Sequence, residues 1–87
     1  MRNLFATPQF SKDIKSIPTA VKRQADFIIL LLREDPCNQT IGIKKLHGVK
    51  PATWRVRVGV YRLIYTFTTS TLTLHRFRHR KDVYRNL

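Results

Sequence analysis

Trp54-Arg55-Val56-Arg57-Val58-Gly59-Val60-Tyr61-Arg62-Leu63-Ile64-Tyr65 is the stretch whose reading decides the fold. Successive side chains of a strand point to opposite sides of a sheet, so its alternation sends arginines one way and apolar residues the other. Gly59-Val60 fits a two-residue type II′ turn in which the glycine takes the positive φ. Val58 then faces Tyr61, Arg57 faces Arg62, Val56 faces Leu63, Arg55 faces Ile64 and Trp54 faces Tyr65. In this register Trp54, Val56, Val58, Tyr61, Leu63 and Tyr65 share a helix-covered face, and Arg55, Arg57 and Arg62 share the open one. Like charges set directly across a strand pair cost stability. The Arg57 and Arg62 juxtaposition therefore reads as kept for a ligand.

The charge distribution says what kind of ligand. Between Pro36 and Lys81 the chain carries ten lysines and arginines and no aspartate or glutamate, within a net charge of +12. Four of the five acids, Asp13, Asp26, Glu34 and Asp35, lie in the first 35 residues, and Asp82 is the fifth. This regional excess predicts one basic surface on a more neutral scaffold, and a polyanionic partner, nucleic acid above all. Lys44, Lys45, Lys50, Arg76, Arg78 and Lys81 extend that surface as phosphate contacts, which act by counterion release.

With 87 residues, 43% of them hydrophobic, residues 1–87 form a single domain with one core. Cys37 is the only cysteine, which excludes an internal disulfide and leaves the histidines without the sulfur partners of structural zinc sites. No metal and no cofactor are expected. The longest apolar run, Phe27 to Leu32, is far too short for a membrane span, and no signal-peptide pattern opens the chain. A cytoplasmic protein without a membrane partner is the expectation.

Around the central hairpin the elements order themselves. Arg2 to Thr7 reads as a short opening strand. Thr7-Pro8 is a helix start, and the helix runs to about Ser16 with Phe10, Ile14 and Ile17 inward. Pro18 begins a second helix to about Glu34, with Val21, Ala25, Ile28 and Leu32 as its stripe. Phe27, Ile29, Leu30 and Leu31 widen that stripe, so the first helix or a bound partner covers the remainder. From Asp35-Pro36 to Pro51 the chain reads as loop or weak strand, followed by strands at 53–58, 61–68 and 71–78. A two-residue turn at Thr69-Ser70 places Leu72 and Leu74 in the core. It places Thr73, His75 and Phe77, with His79 as a further candidate, on the face with Arg62. The fold class is α+β: two antiparallel helices on one face of a small, twisted, mainly antiparallel sheet, with a short C-terminal helix or tail.

Planar guanidinium forks suit a phosphodiester in its transition state, where negative charge spreads over the equatorial oxygens. Arginine stays protonated in proteins and cannot easily move a proton. A catalytic reading therefore needs a titratable neighbour, and His79 and Tyr84 supply one. Tyr84 can also stack on a base.

These residues, with Phe10-Ser11-Lys12-Asp13-Ile14-Lys15, Ile17-Pro18, Asp35-Pro36, Lys44-Lys45-Leu46-His47-Gly48 and His79-Arg80-Lys81-Asp82-Val83-Tyr84-Arg85, follow one another in an order and spacing that closely resemble the RelE branch of the RelE/ParE toxin superfamily. Nearly the whole chain is covered. The resemblance implies a toxin of a type II toxin-antitoxin pair that enters the ribosomal A site and cuts messenger RNA, with the RNA's 2′-hydroxyl as nucleophile and no metal. It implies a RelB-like antitoxin that wraps the toxin, and operator DNA bound only through the antitoxin complex. By position it gives Arg55 and Arg57 the paired basic role, Arg62 the phosphate-holding role, and Tyr84 a role in orienting a base or in proton transfer. Some members carry lysine where Arg55 and Arg57 stand, and lysine can lose its proton when its pKa is depressed, whereas arginine cannot. The expectation is that His79 or Tyr84 moves protons while Arg55, Arg57 and Arg62 hold charge. For the terminal acid or base, His79, Arg80 and Arg78 are the candidates in that order. The alternative within the superfamily is a ParE-like, non-enzymatic poison of DNA gyrase.

Overall fold

The computed structural model describes residues 1–83. The elements are β1 (Asn3–Ala6), α1 (Pro8–Ile14), α2 (Thr19–Glu34), a 3-10 turn (Gln39–Ile41), β2 (Ile43–Lys45), β3 (Trp54–Val58), β4 (Tyr61–Phe67) and β5 (Thr71–His79). The strands form one sheet in the order β1-β5-β4-β3-β2. Pairing is antiparallel except between β1 and β5. Phe10 and Ile17 from the α1 region and Ala25, Ile29 and Leu32 of α2 meet Val56, Val58, Leu63, Tyr65, Leu72, Leu74 and Phe77 in one core. The fold is thus the expected α+β arrangement of two helices against one sheet. The weak segment after Pro36 resolves into the 3-10 turn and β2.

Local chemistry sets the helix ends. Thr7 Oγ1 accepts from the Phe10 amide at 3.2 Å, with Pro8 in the first turn where no amide is needed. The same hydroxyl donates to the His75 carbonyl at 2.9 Å, so one residue caps α1 and fastens it to β5. In α2 the most buried residues are Ala25, Ile29 and Leu32, with Ile28 only partly covered. The inner stripe is therefore turned toward Ile29. Phe27 and Leu30 remain 64% and 51% exposed, so α1 does not cover them. At the end of α2 the buried Tyr65 hydroxyl donates to the Pro36 carbonyl at 2.7 Å. Burial, with smaller effects from Cys37 and Asp35, pushes that phenol's pKa up.

The central hairpin has the predicted register, from Val58 opposite Tyr61 to Trp54 opposite Tyr65, with Gly59 at φ 61°. The next hairpin begins as predicted too: Phe67 faces Leu72, Tyr65 faces Leu74, and both leucines are buried. Beyond Leu74 the register shifts, because β5 carries one extra residue, His75, in a β-bulge. Ile64 then faces Arg76, Leu63 faces Phe77, Arg62 faces Arg78 and Tyr61 faces His79. This corrects the expected placement of Phe77 and His79 on the arginine face. They lie on the helix side, and Arg76 and Arg78 take the open side.

The energetics favour the bulge. Uninterrupted alternation would push Arg76 and Arg78 toward the core and Phe77 into water, whereas burying a phenylalanine gains roughly 1.5–3 kcal/mol and burying an unpaired guanidinium costs several. Phe77 is fully buried and stacks on Phe10, with ring centroids 6.4 Å apart. Because β1 ends at Ala6, β5 needs other partners along that edge. The Thr7 amide bonds the Leu74 carbonyl at 3.0 Å. Asp13 of α1 accepts from the Phe77 amide at 3.0 Å and from Arg76 Nε and Nη2 at 2.9 and 3.2 Å.

Replacing Phe77 by alanine is expected to cost about 3–5 kcal/mol in urea unfolding, the loss seen when a buried aromatic is removed. A near-neutral Phe77→Ala would return this side chain to the open face.

Candidate nucleic-acid interface

With the bulge in place, the open face of the sheet carries two cross-strand rows. Arg57 of β3, Arg62 of β4 and Arg78 of β5 stand in register as the first. Lys44 of β2, Arg55 of β3, Ile64 of β4 and Arg76 of β5 form the second. Neighbouring strands lie about 4.8 Å apart, so the first row gathers three guanidinium-bearing residues within roughly 10 Å. Residues 43–79 contain no acid.

Backbone carbonyls meet part of that positive charge. Arg62 Nη1 donates to the Gly59 and Tyr61 carbonyls, both at 2.9 Å. Arg55 Nη1 donates to the Gly42 carbonyl at 3.0 Å. Carbonyl dipoles orient these side chains, and a guanidinium carries five N–H donors in a planar fork that matches a phosphate.

The other expected contacts divide. Lys44 joins the cationic face beside Arg55, but Lys45 pairs with Trp54 and sets its ammonium over that indole at 6.0 Å, on the opposite face. Arg76 reaches the open face and is held there by Asp13. Lys50 lies exposed in the β2–β3 loop, close to Ile64, His75 and Arg76. His79 sets its ring edge-on to Tyr61 at 5.9 Å, and its Nδ1 accepts the Lys81 amide at 3.1 Å. Arg80 and Lys81 are exposed in the turn after β5, where the Arg80 amide bonds the Val60 carbonyl at 2.8 Å. Tyr84 lies outside the described residues. Among the described residues, no three His, Cys, Asp or Glu side chains converge as a metal site would require, and no helix is long and apolar enough to cross a membrane.

His75 was undervalued by sequence reasoning. Half-buried at the bulge, it shares a 2.8 Å hydrogen bond between its Nε2 and Thr66 Oγ1. The signal lay in the spacing Leu72, Leu74, Phe77: a step of three breaks the two-residue period of a strand and marks one inserted residue. Burial lowers the His75 pKa from its ordinary 6.5, so the folded ring stays neutral where the unfolded one would gain a proton.

The sign of that shift gives a pH prediction. The stability contributed by His75 is whole above about pH 6.5 and is lost as pH falls through the lower folded value. The Tm of His75→Gln should therefore fall less than wild type between about pH 7 and about pH 5; parallel profiles would contradict the assignment. Relief of repulsion at the first row predicts that Arg57→Gln raises Tm at low ionic strength, with the gain shrinking as salt screens the row. A lower Tm at low salt would show that the row is not strained.

Comparison with known proteins agrees with this geometry. The family model described as ParE toxin of type II toxin-antitoxin systems matches residues 4–84. Toxin RelE3 of Methanocaldococcus jannaschii is 31% identical over 91 residues, covering 97% of this chain and 96% of its own. The crystal structure of the RelB-RelE antitoxin-toxin complex from Methanococcus jannaschii matches with a TM-score of 0.77 at 28% identity, over 92% of this chain and 94% of the other. The E. coli DinJ-YafQ toxin-antitoxin complex shares the fold at 22% identity, with a TM-score of 0.76 over 95% of this chain and 97% of the other. A match over nearly the full length, the same helix-on-sheet fold and a regional cationic face lead to one assignment: the chain belongs to the RelE/ParE family of type II toxin-antitoxin toxins.

Proposed function

We propose that this toxin is a ribosome-dependent, metal-independent messenger RNA endoribonuclease acting in the cytoplasm. The observation that carries the reading is the row Arg57, Arg62 and Arg78, three arginines on adjacent strands facing away from the core. In the proposed reaction the 2′-hydroxyl of the RNA attacks the neighbouring phosphorus. A 2′-O–P bond forms and the P–O5′ bond breaks, leaving a 2′,3′-cyclic phosphate and a 5′-hydroxyl. One proton leaves the nucleophile and one reaches the departing oxygen. Arg55, Arg57, Arg62 and Arg78 hold the charge that builds on the equatorial oxygens. They do not move those protons, since arginine stays protonated.

Proton transfer is assigned to His79 or Tyr84. The Lys81 amide occupies His79 Nδ1, so Nε2 is the nitrogen through which that ring exchanges a proton. Tyr84 is the alternative for the base role. The ribosome positions the scissile nucleotide, a task for which an 87-residue chain has little surface. The 2′-hydroxyl requirement gives selectivity for RNA over DNA.

The family model's own description, ParE toxin, favours a second reading, a non-enzymatic poison of DNA gyrase. Growth arrest with loss of translation supports the nuclease; arrest with DNA breaks and an SOS response supports the gyrase poison.

The solved relatives titled as RelB-RelE and DinJ-YafQ complexes support a cognate antitoxin for this toxin. Its seat includes the apolar cleft of about 520 Å³ between α2 and the β3–β4 turn, where Phe27, Ile28 and Val58 meet Arg23 and Arg57. An amphipathic, acidic segment would fill that cleft and reach the cationic face past Arg57. Operator DNA is then bound through the toxin-antitoxin complex.

In a purified translation system the wild type should cleave message in the A site, and Arg62→Ala should slow single-turnover cleavage about 10²–10³-fold, the range for loss of one transition-state donor. Unchanged cleavage by His79→Ala would leave Tyr84 as the proton-transfer residue; no cleavage by the wild type would end the nuclease reading. The cognate antitoxin should raise Tm well beyond what salt achieves, and no rise on mixing would argue against wrapping.

A further inference from the structure

Ile64 is an anomaly on the cationic face. It stands in register between Arg55 and Arg76, is fully buried, and lies outside the main core cluster. The β2–β3 loop explains its burial: Val49, Lys50 and Pro51 fold over this part of the sheet and leave a cavity of about 320 Å³. Val49 and Pro51 give the cavity apolar surface above the buried Ile64, and Gln9, Lys50, Thr66 and His75 give it polar groups. Among the described residues, neither the Gln9 amide nor the Lys50 ammonium has a hydrogen-bond partner, and His75 uses only Nε2, toward Thr66. A cavity of this size, apolar with a few convergent polar groups, is the usual form of a small-ligand site.

We infer that this cavity receives one unstacked base of the bound RNA, and that Gln9, Lys50 and His75 read its edge. The inference rests on the nuclease reading and adds a base-selecting site to it. Three features select a nucleobase over another small ligand. The apolar surface suits a flat heterocycle, and the polar groups offer the mixed donors and acceptors that base edges require. The row Arg57, Arg62 and Arg78 lies on the same face, two residues along the strands from Ile64, or roughly 6.8 Å away. A nucleotide spans that distance between its phosphate and its base. Single-stranded RNA is commonly read through splayed bases bonded on their edges while basic groups hold the backbone.

The test uses the full chain and two readouts. In the first, AMP, GMP, CMP, UMP and ribose 5-phosphate are titrated separately while NMR follows the Ile64 and Thr66 methyls and the His75 ring. At least one mononucleotide should shift these signals saturably, and ribose 5-phosphate should not. Mononucleotides that leave them where ribose 5-phosphate does would overturn the base site. In the second, 5′-hydroxyl ends produced in a translation system are sequenced for wild type, Gln9→Ala and His75→Gln. The relative use of bases at one fixed position from the cut should change by about tenfold in a variant, as loss of a good base-edge contact predicts. Unaltered base use in both variants would overturn the assignment of the readers. Wild type that shows the mononucleotide shifts yet produces no ends would refute the nuclease reading while leaving the base site standing.

Discussion

A single inserted residue in β5 governs what both faces of this molecule can be. At His75 the strand must satisfy two demands in conflict: Leu72, Leu74 and Phe77 all belong to the core, but strict alternation cannot bury positions three apart. The β-bulge resolves it by opposing two residues of β5 to one of β4. Phe77 turns inward onto Phe10, while Arg76 and Arg78 turn outward into line with Ile64 and Arg62. The core and the cationic face thus share one cause. Asp13 and Thr7 hold the distorted strand along the edge that β1 leaves open.

That arrangement has a thermodynamic cost, and its location is informative. The like-charged row Arg57, Arg62 and Arg78 crosses the centre of the sheet, where strand pairing holds its backbone rigidly in place. Sheet-mounted side chains are more precisely positioned than loop-mounted ones, which suits the stabilisation of charge in a transition state. Bonds from Arg55 and Arg62 to backbone carbonyls orient guanidiniums that would otherwise fan out into water. The proposed function uses this face, whose like-charge repulsion a bound anion would relieve.

Much of this was legible in the residues. Alternation in Trp54 to Tyr65, with glycine at the turn, is enough to place Arg55, Arg57 and Arg62 opposite the core, and the observed pairing agrees residue by residue. Thr7-Pro8 and Asp35-Pro36 mark helix ends through backbone chemistry that tertiary contacts do not override. The faces of Phe77 and His79 were misread because alternation is counted from the turn and a bulge reverses it without a turn signal. Lys45 was misread because consecutive strand residues point opposite ways, so Lys44 and Lys45 cannot both lie on the open face. The cavity at His75 was beyond sequence reasoning altogether, since it depends on how the irregular β2–β3 loop lies over Ile64.

The most direct measurement of the central claim follows the arginine Nε–H signals by NMR as a short messenger RNA carrying a 2′-deoxy nucleotide at the scissile position is added to the full chain. Concerted shifts of Arg57, Arg62 and Arg78 are predicted, with Arg55 following and Arg23 on α2 unmoved. Shifts confined to the helix-side cations, with the three sheet arginines silent, would contradict the account.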